Sequence, residues 1–110
     1  THYAAAGAKG ATKVFIDRYM AKYGAEPADY AALTWDSICL MVEGIKNAGK
    51  VESNPRKMRA AIRDGLAAIK SFDGVTGSSK FNEQGDPIKC AVIVKISAEG
   101  TFVFEESVCP

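Results

Sequence analysis

Few residues in this chain have the type and spacing to do chemistry. Its single histidine, His2, stands between Thr1 and Tyr3. An imidazole can act as acid, base or metal ligand, but no cysteine or carboxylate lies near His2 at ligand spacing, so it reads as an exposed, non-catalytic side chain. Residues 73–80, "DGVTGSSK", offer glycines and hydroxyls that could cradle a phosphate. They lack the G-x-x-x-x-G-K-[ST] pattern and no helical pattern follows, so an ordinary turn accounts for them. "FNEQGDP" groups Asn82, Glu83 and Asp86 without the spacing of a calcium loop. No paired carboxylates, nucleophile–base arrangement or metal cluster is legible. The residues therefore predict a non-enzyme that needs no cofactor or metal.

Two aromatics remain. Tyr30 falls in the first turn of an expected helix, where a ring can border an apolar ligand pocket. Trp35, five residues on, reads as core packing. Three cysteines, Cys39, Cys90 and Cys109, are too few and too widely spaced for a disulfide scaffold or a zinc site. Cys39 lies in an apolar helix and reads as a small buried hydrophobe.

The elements that must position these residues follow from periodicity. Phe15, Tyr19 and Tyr23 recur at i, i+4, i+8, which predicts a helix over residues 12–23 that Gly24 closes. Pro27 suits the first turn of a long second helix ended by Gly49. From Tyr30 to Ala48 that helix has only three charged side chains, Asp36, Glu43 and Lys46. It bears two apolar stripes: Tyr30, Leu33, Ile38, Met41 and Ile45, and beside them Ala31, Ala32, Trp35, Cys39 and Val42. A surface helix normally has one. Asn54-Pro55 is a start signal for a third helix, and Gly65 inside it predicts close packing.

Beyond residue 71 the period changes. Residues 72–87 read as loops around short extended pieces, and residues 88–96 alternate as one strand. "TFVFEE" is the next strand. A three-residue loop, Ala98-Glu99-Gly100, sets Ile96 opposite Phe102 and Val94 opposite Phe104, with all four apolar residues on one face and Gly100 in the left-handed position. That register puts Cys90 opposite Val108 and turns Cys109 to the other side. A Cys90–Cys109 disulfide then requires a bulged or frayed strand end, and would imply an oxidising compartment.

Two strands cannot cover both stripes of the second helix, and a lone hairpin is marginal. The sequence thus predicts an α/β fold in which the helix packs against strands this chain does not contain. The 110 residues have 47% apolar and 25% charged residues and a net charge of +1, the balance of one ordinary globular domain. No basic patch argues for nucleic acid. No apolar run approaches the ~18 residues of a membrane span, no signal peptide is visible, and the missing initiator Met suggests a processed or excised piece.

The order of motifs resembles a known family. Thr1 and Tyr3, then Phe15, Tyr19 and Tyr23-Gly24, "EP" at 26–27, "YAAL" at 30–33, "DS" at 36–37, "GIKNAG" at 44–49, "RAAI" at 59–62, "FDGVTGSSKFNEQGD" at 72–86 and the hairpin "VIVKI…GTF" are similar to the C-terminal third of branched-chain amino-acid-type periplasmic solute-binding proteins, the receptors of ABC importers. The resemblance covers nearly the whole chain. It implies a fragment of a two-lobed, type I periplasmic binding fold, each lobe a doubly wound sheet. Residues 1–88 would be the helical part of the first lobe, with an inter-lobe crossing near their start, and residues 89–110 the hairpin of the second. Another crossing would fall near residues 87–90.

The same resemblance implies that Tyr30 contacts the side chain of a bound amino acid and that Thr1 and Tyr3 border the cleft. Trp35 stands where a tyrosine is commoner. It implies a non-catalytic receptor for a small-molecule solute, branched-chain amino acids first, with aromatic acids, amides and urea as rivals. The partner would be a membrane permease and the location periplasmic or extracellular, with or without a lipid anchor. The bare helix faces predict an oligomer or segment exchange. Two alternatives come from other classes: a nucleotide-binding or regulatory α/β domain using "DGVTGSS", and the sensory domain of a signalling receptor.

Overall fold

The computed structural model describes residues 3–110. Helix α1 spans Gly10–Tyr23, α2 Asp29–Ala48 and α3 Pro55–Ala67. Gly24 closes α1 at φ 70°, its N–H donating to the Met20 carbonyl at 2.8 Å, the left-handed cap its position predicts. Asn54 caps α3, its side chain accepting the N–H of Arg56 at 2.9 Å and of Lys57 at 3.4 Å. Pro27 lies before α2 and not within its first turn. Ala28 takes the N-cap in an extended conformation, and Asp29 supplies the negative charge that a helix start favours.

Five strands follow. β1 (Phe72–Gly74), β2 (Gly77–Phe81) and β3 (Pro87–Lys89) form an antiparallel sheet in that order. β4 (Ala91–Ile96) and β5 (Phe102–Val108) form a separate hairpin. The single strand expected over residues 88–96 is therefore two. Lys89 still pairs with Ser79 in the first sheet, whereas Ala91 pairs with Val108 in the second. Cys90 alone lies between them.

The hairpin has the expected register near its loop: Ile96 opposes Phe102 and Val94 opposes Phe104. Gly100 has φ 76° and donates its N–H to the Ser97 carbonyl at 3.0 Å. Further along, the pairing slips. Ile93 opposes Glu106, so Glu105 is an extra residue on β5, a β-bulge. The slip moves Val108 from Cys90 to Ala91. It leaves Cys90 and Cys109 opposite each other, 4.1 Å apart at Cα, and joined by a disulfide.

Helices α2 and α3 pack through glycines. A Cβ on Gly65 would come within 2.3 Å of the Gly44 carbonyl oxygen, and the Asn47 amide donates to the Gly65 carbonyl at 3.1 Å. The close approach expected of Gly65 is thus real, and Gly44 is its partner.

The core is small: Tyr3, Ile16, Ala32 and Val75, with Phe15, Ala5 and Ala8 against it. Trp35, Ile38, Met41, Val42 and Ile45 of α2 are all exposed. The radius of gyration is 16.6 Å, against about 13 Å for a compact chain of this length. The accessible surface is 7896 Å², whereas a monomer of this mass exposes about 5,900 Å². Both excesses agree with helix faces that this chain's own strands leave uncovered.

Candidate ligand-binding site

The most elaborate polar cluster is one that sequence reasoning missed. Asp36 projects from α2 into the turn between β1 and β2 and is buried. Its carboxylate accepts the N–H of Val75 at 2.8 Å and of Thr76 at 2.9 Å, and also the Thr76 hydroxyl. The Thr76 hydroxyl in turn accepts from the Lys89 ammonium, which stands 3.9 Å from the Asp36 carboxylate. Gly74 makes the approach feasible, since a Cβ there would lie 2.3 Å from Asp36 Oδ2. From the other side, the Thr12 hydroxyl of α1 donates to the Val75 carbonyl at 2.8 Å.

Burial holds the Lys89 ammonium below the usual lysine range, while Asp36 and Asp29 pull it back up. Three donors and a nearby cation engage the Asp36 carboxylate. The cluster therefore joins α1, α2 and the first sheet. It also answers the phosphate-cradle alternative: the Val75 and Thr76 amides that an anion would use are already bonded to a carboxylate of this chain. The available signal was Asp36 itself, a carboxylate between two apolar stripes.

Asn82 shows the turn chemistry expected of "FNEQGDP": its Oδ1 accepts from the Gln84 and Asp86 amides at 3.0 and 2.8 Å. Among the described residues, no group of three or more His, Cys, Asp or Glu is placed to hold a metal ion.

The two described residues expected at the cleft fall in different hollows. Tyr3 is 8% exposed and lines a hollow of about 410 Å³ with Thr12, Thr76, Cys90, Val92 and Phe104. Desolvation, aided by the charges of Glu26 and Asp29, pushes its phenol up to about 12. Tyr30 is 83% exposed and lines a groove of about 740 Å³ between α1 and α2, with Phe15, Tyr19, Tyr23, Trp35 and Ile38. Phe15 stacks at a tilt on Tyr19 and on Trp35, each at 5.9 Å between ring centroids. Val75 lines both hollows. Thr1 lies outside the described residues, as does His2.

Residues 1–101 match the family model described as periplasmic binding protein. The chain belongs to the periplasmic binding protein family. It is similar to the leucine-binding protein LivK of Thermotoga maritima, at 31% identity and a TM-score of 0.82, over 100% of this chain and 30% of that one. It is similar to the branched-chain amino acid transporter substrate-binding protein LivJ of Streptococcus pneumoniae, solved with isoleucine, at 33% identity and a TM-score of 0.75, over 98% of this chain and 28% of that one. It shares its fold with a solute-binding protein of an R. palustris ABC transporter solved with benzoate, at 22% identity and a TM-score of 0.78, over 99% of this chain and 29% of that one. Among curated proteins no sequence matches.

The α/β architecture of three helices and then strands is accordingly that of part of a type I periplasmic binding fold. The chain spans about 30% of the length of the solved relatives it matches. Among the described residues, no helix is long and apolar enough to cross a membrane.

Proposed function

We propose that this chain is the carboxy-terminal part of a non-catalytic receptor for branched-chain or related amino acids, working outside the cytoplasm and passing its solute to an ABC permease. The observation that carries the reading is the match over the whole chain to amino-acid-binding receptors, together with helix α2 bare on its apolar side. In this reading residues 1–88 belong to one lobe and residues 89–110 to the other. Strands from the remainder of the protein cover Trp35, Ile38 and Met41. Tyr30 contributes its ring to the solute's side chain, and Thr1 and Tyr3 border the cleft.

Calorimetry of the full-length protein with leucine, isoleucine and valine tests this, with aromatic acids, amides and urea as competitors. Saturable binding of a branched-chain amino acid is expected. Absence of heat with every member of the panel overturns the reading.

A further inference from the structure

Between the two sheets the chain has a joint one residue long. Lys89 is the last residue of β3 and Ala91 the first of β4. On one side of the joint, Lys89 is fixed to the helical layer through Thr76 and Asp36. On the other side, the hairpin packs chiefly within itself. Any turning of the hairpin against the first sheet is thus concentrated in the backbone of residue 90. The side chain of that residue is covalently bound to Cys109, just past β5. The cross-link holds the hairpin's two open ends together where they meet the joint.

We propose that the Cys90–Cys109 disulfide is a redox-sensitive clamp on this joint. Its reduction loosens the hairpin and leaves the Asp36 cluster in place. Cys109 is the exposed partner, whereas Cys90 is half-buried, so a thiolate reaches the Cys109 sulfur. A dithiol reductant attacks there, the S–S bond breaks and Cys90 leaves as the thiolate. The reagent's second thiolate then closes its own disulfide and releases Cys109. Two electrons pass to the protein, and each cysteine sulfur ends as a thiol after taking up a proton. Cys39 lies on α2 as a free thiol and takes no part.

Amide hydrogen exchange of the full-length protein, before and after dithiothreitol, tests the inference. The double variant Cys90→Ser/Cys109→Ser, which keeps Cys39, provides a second measurement without reductant. In both, the amides of β4 and β5 should exchange at least about tenfold faster, while those of Val75 and Thr76 stay within about twofold. Equal acceleration of both sets would make the bond a brace for the whole fold and overturn the clamp. Unchanged exchange in β4 and β5 would overturn it too.

Discussion

The Asp36 carboxylate receives the Val75 N–H at 2.8 Å across 39 residues of sequence. One side chain thereby fixes a long helix to a three-strand sheet. Asp36→Ala would leave two buried amides without their acceptor and remove the carboxylate 3.9 Å from the Lys89 ammonium. Removing one partner of a buried pair costs about 3–5 kcal/mol. Denaturant unfolding of the full-length protein should show a loss of that order. A double variant adding Lys89→Met should recover part of it, because it removes the cation left without its carboxylate.

Two glycines at the α2–α3 contact should respond differently to alanine. In Gly65→Ala the new methyl meets the Gly44 backbone at 2.3 Å, so a helix must move. In Gly44→Ala it meets the Leu66 side chain at 2.5 Å, which can rotate away. Overpacking that shifts backbone costs about 1–3 kcal/mol. Thermal unfolding should therefore rank Gly65→Ala well below Gly44→Ala. The reverse order would place the close contact elsewhere.

Tyr3 and Lys89 tilt the alkaline stability profile in opposite senses. Folding raises the Tyr3 phenol from 10.0 to about 12. The folded state then holds more protons through that window, and its stability falls as pH rises through it. Tyr3→Phe should remove this fall. Lys89 is lowered by burial from 10.5, so the unfolded chain holds more protons just below 10.5 and stability rises with pH there. Lys89→Met should abolish that rise. Unfolding free energies across the alkaline range check both signs.

On the proposed function, Tyr30→Ala in the full-length protein should weaken amino-acid binding by about 1–3 kcal/mol if the ring packs on the ligand. Calorimetry gives the number. Unchanged affinity returns Tyr30 to packing within the α1–α2 groove.

The 110-residue chain on its own should self-associate through the bare faces of α1 and α2. Light scattering across a dilution series reads this out. A compact monomer at every concentration would contradict it.

Local signals in the sequence were sufficient wherever a feature depends on neighbours along the chain. Asn54 announced its cap, Gly24 its left-handed turn, and Gly100 with the alternating apolar residues set the hairpin loop. The bare side of α2, with Trp35, Ile38, Met41, Val42 and Ile45 exposed, was legible as an imbalance between helix surface and strand supply. Three features were not legible, each because a distant residue decides it. The Asp36–Thr76–Lys89 cluster joins α2, a turn and β3. The break at Cys90 arises because residues 89 and 91 find partners in different sheets. A bulge was legible only as the condition for a Cys90–Cys109 bond; its position at Glu105 was not, because the alternation of Phe, Val and Glu fits either register. Tyr30 stood out by its place in the first turn of a helix and Tyr3 by family likeness, and in this chain they line separate hollows.

The bulge and the cross-link together make the hairpin intolerant of sliding. Deleting one residue from either strand would turn every following side chain to the opposite face and carry one sulfur out of reach of the other. Extra residues at the tip between Ser97 and Thr101 disturb neither. Changes in length among natural variants of this hairpin should therefore gather at the tip, with the two arms kept at fixed size.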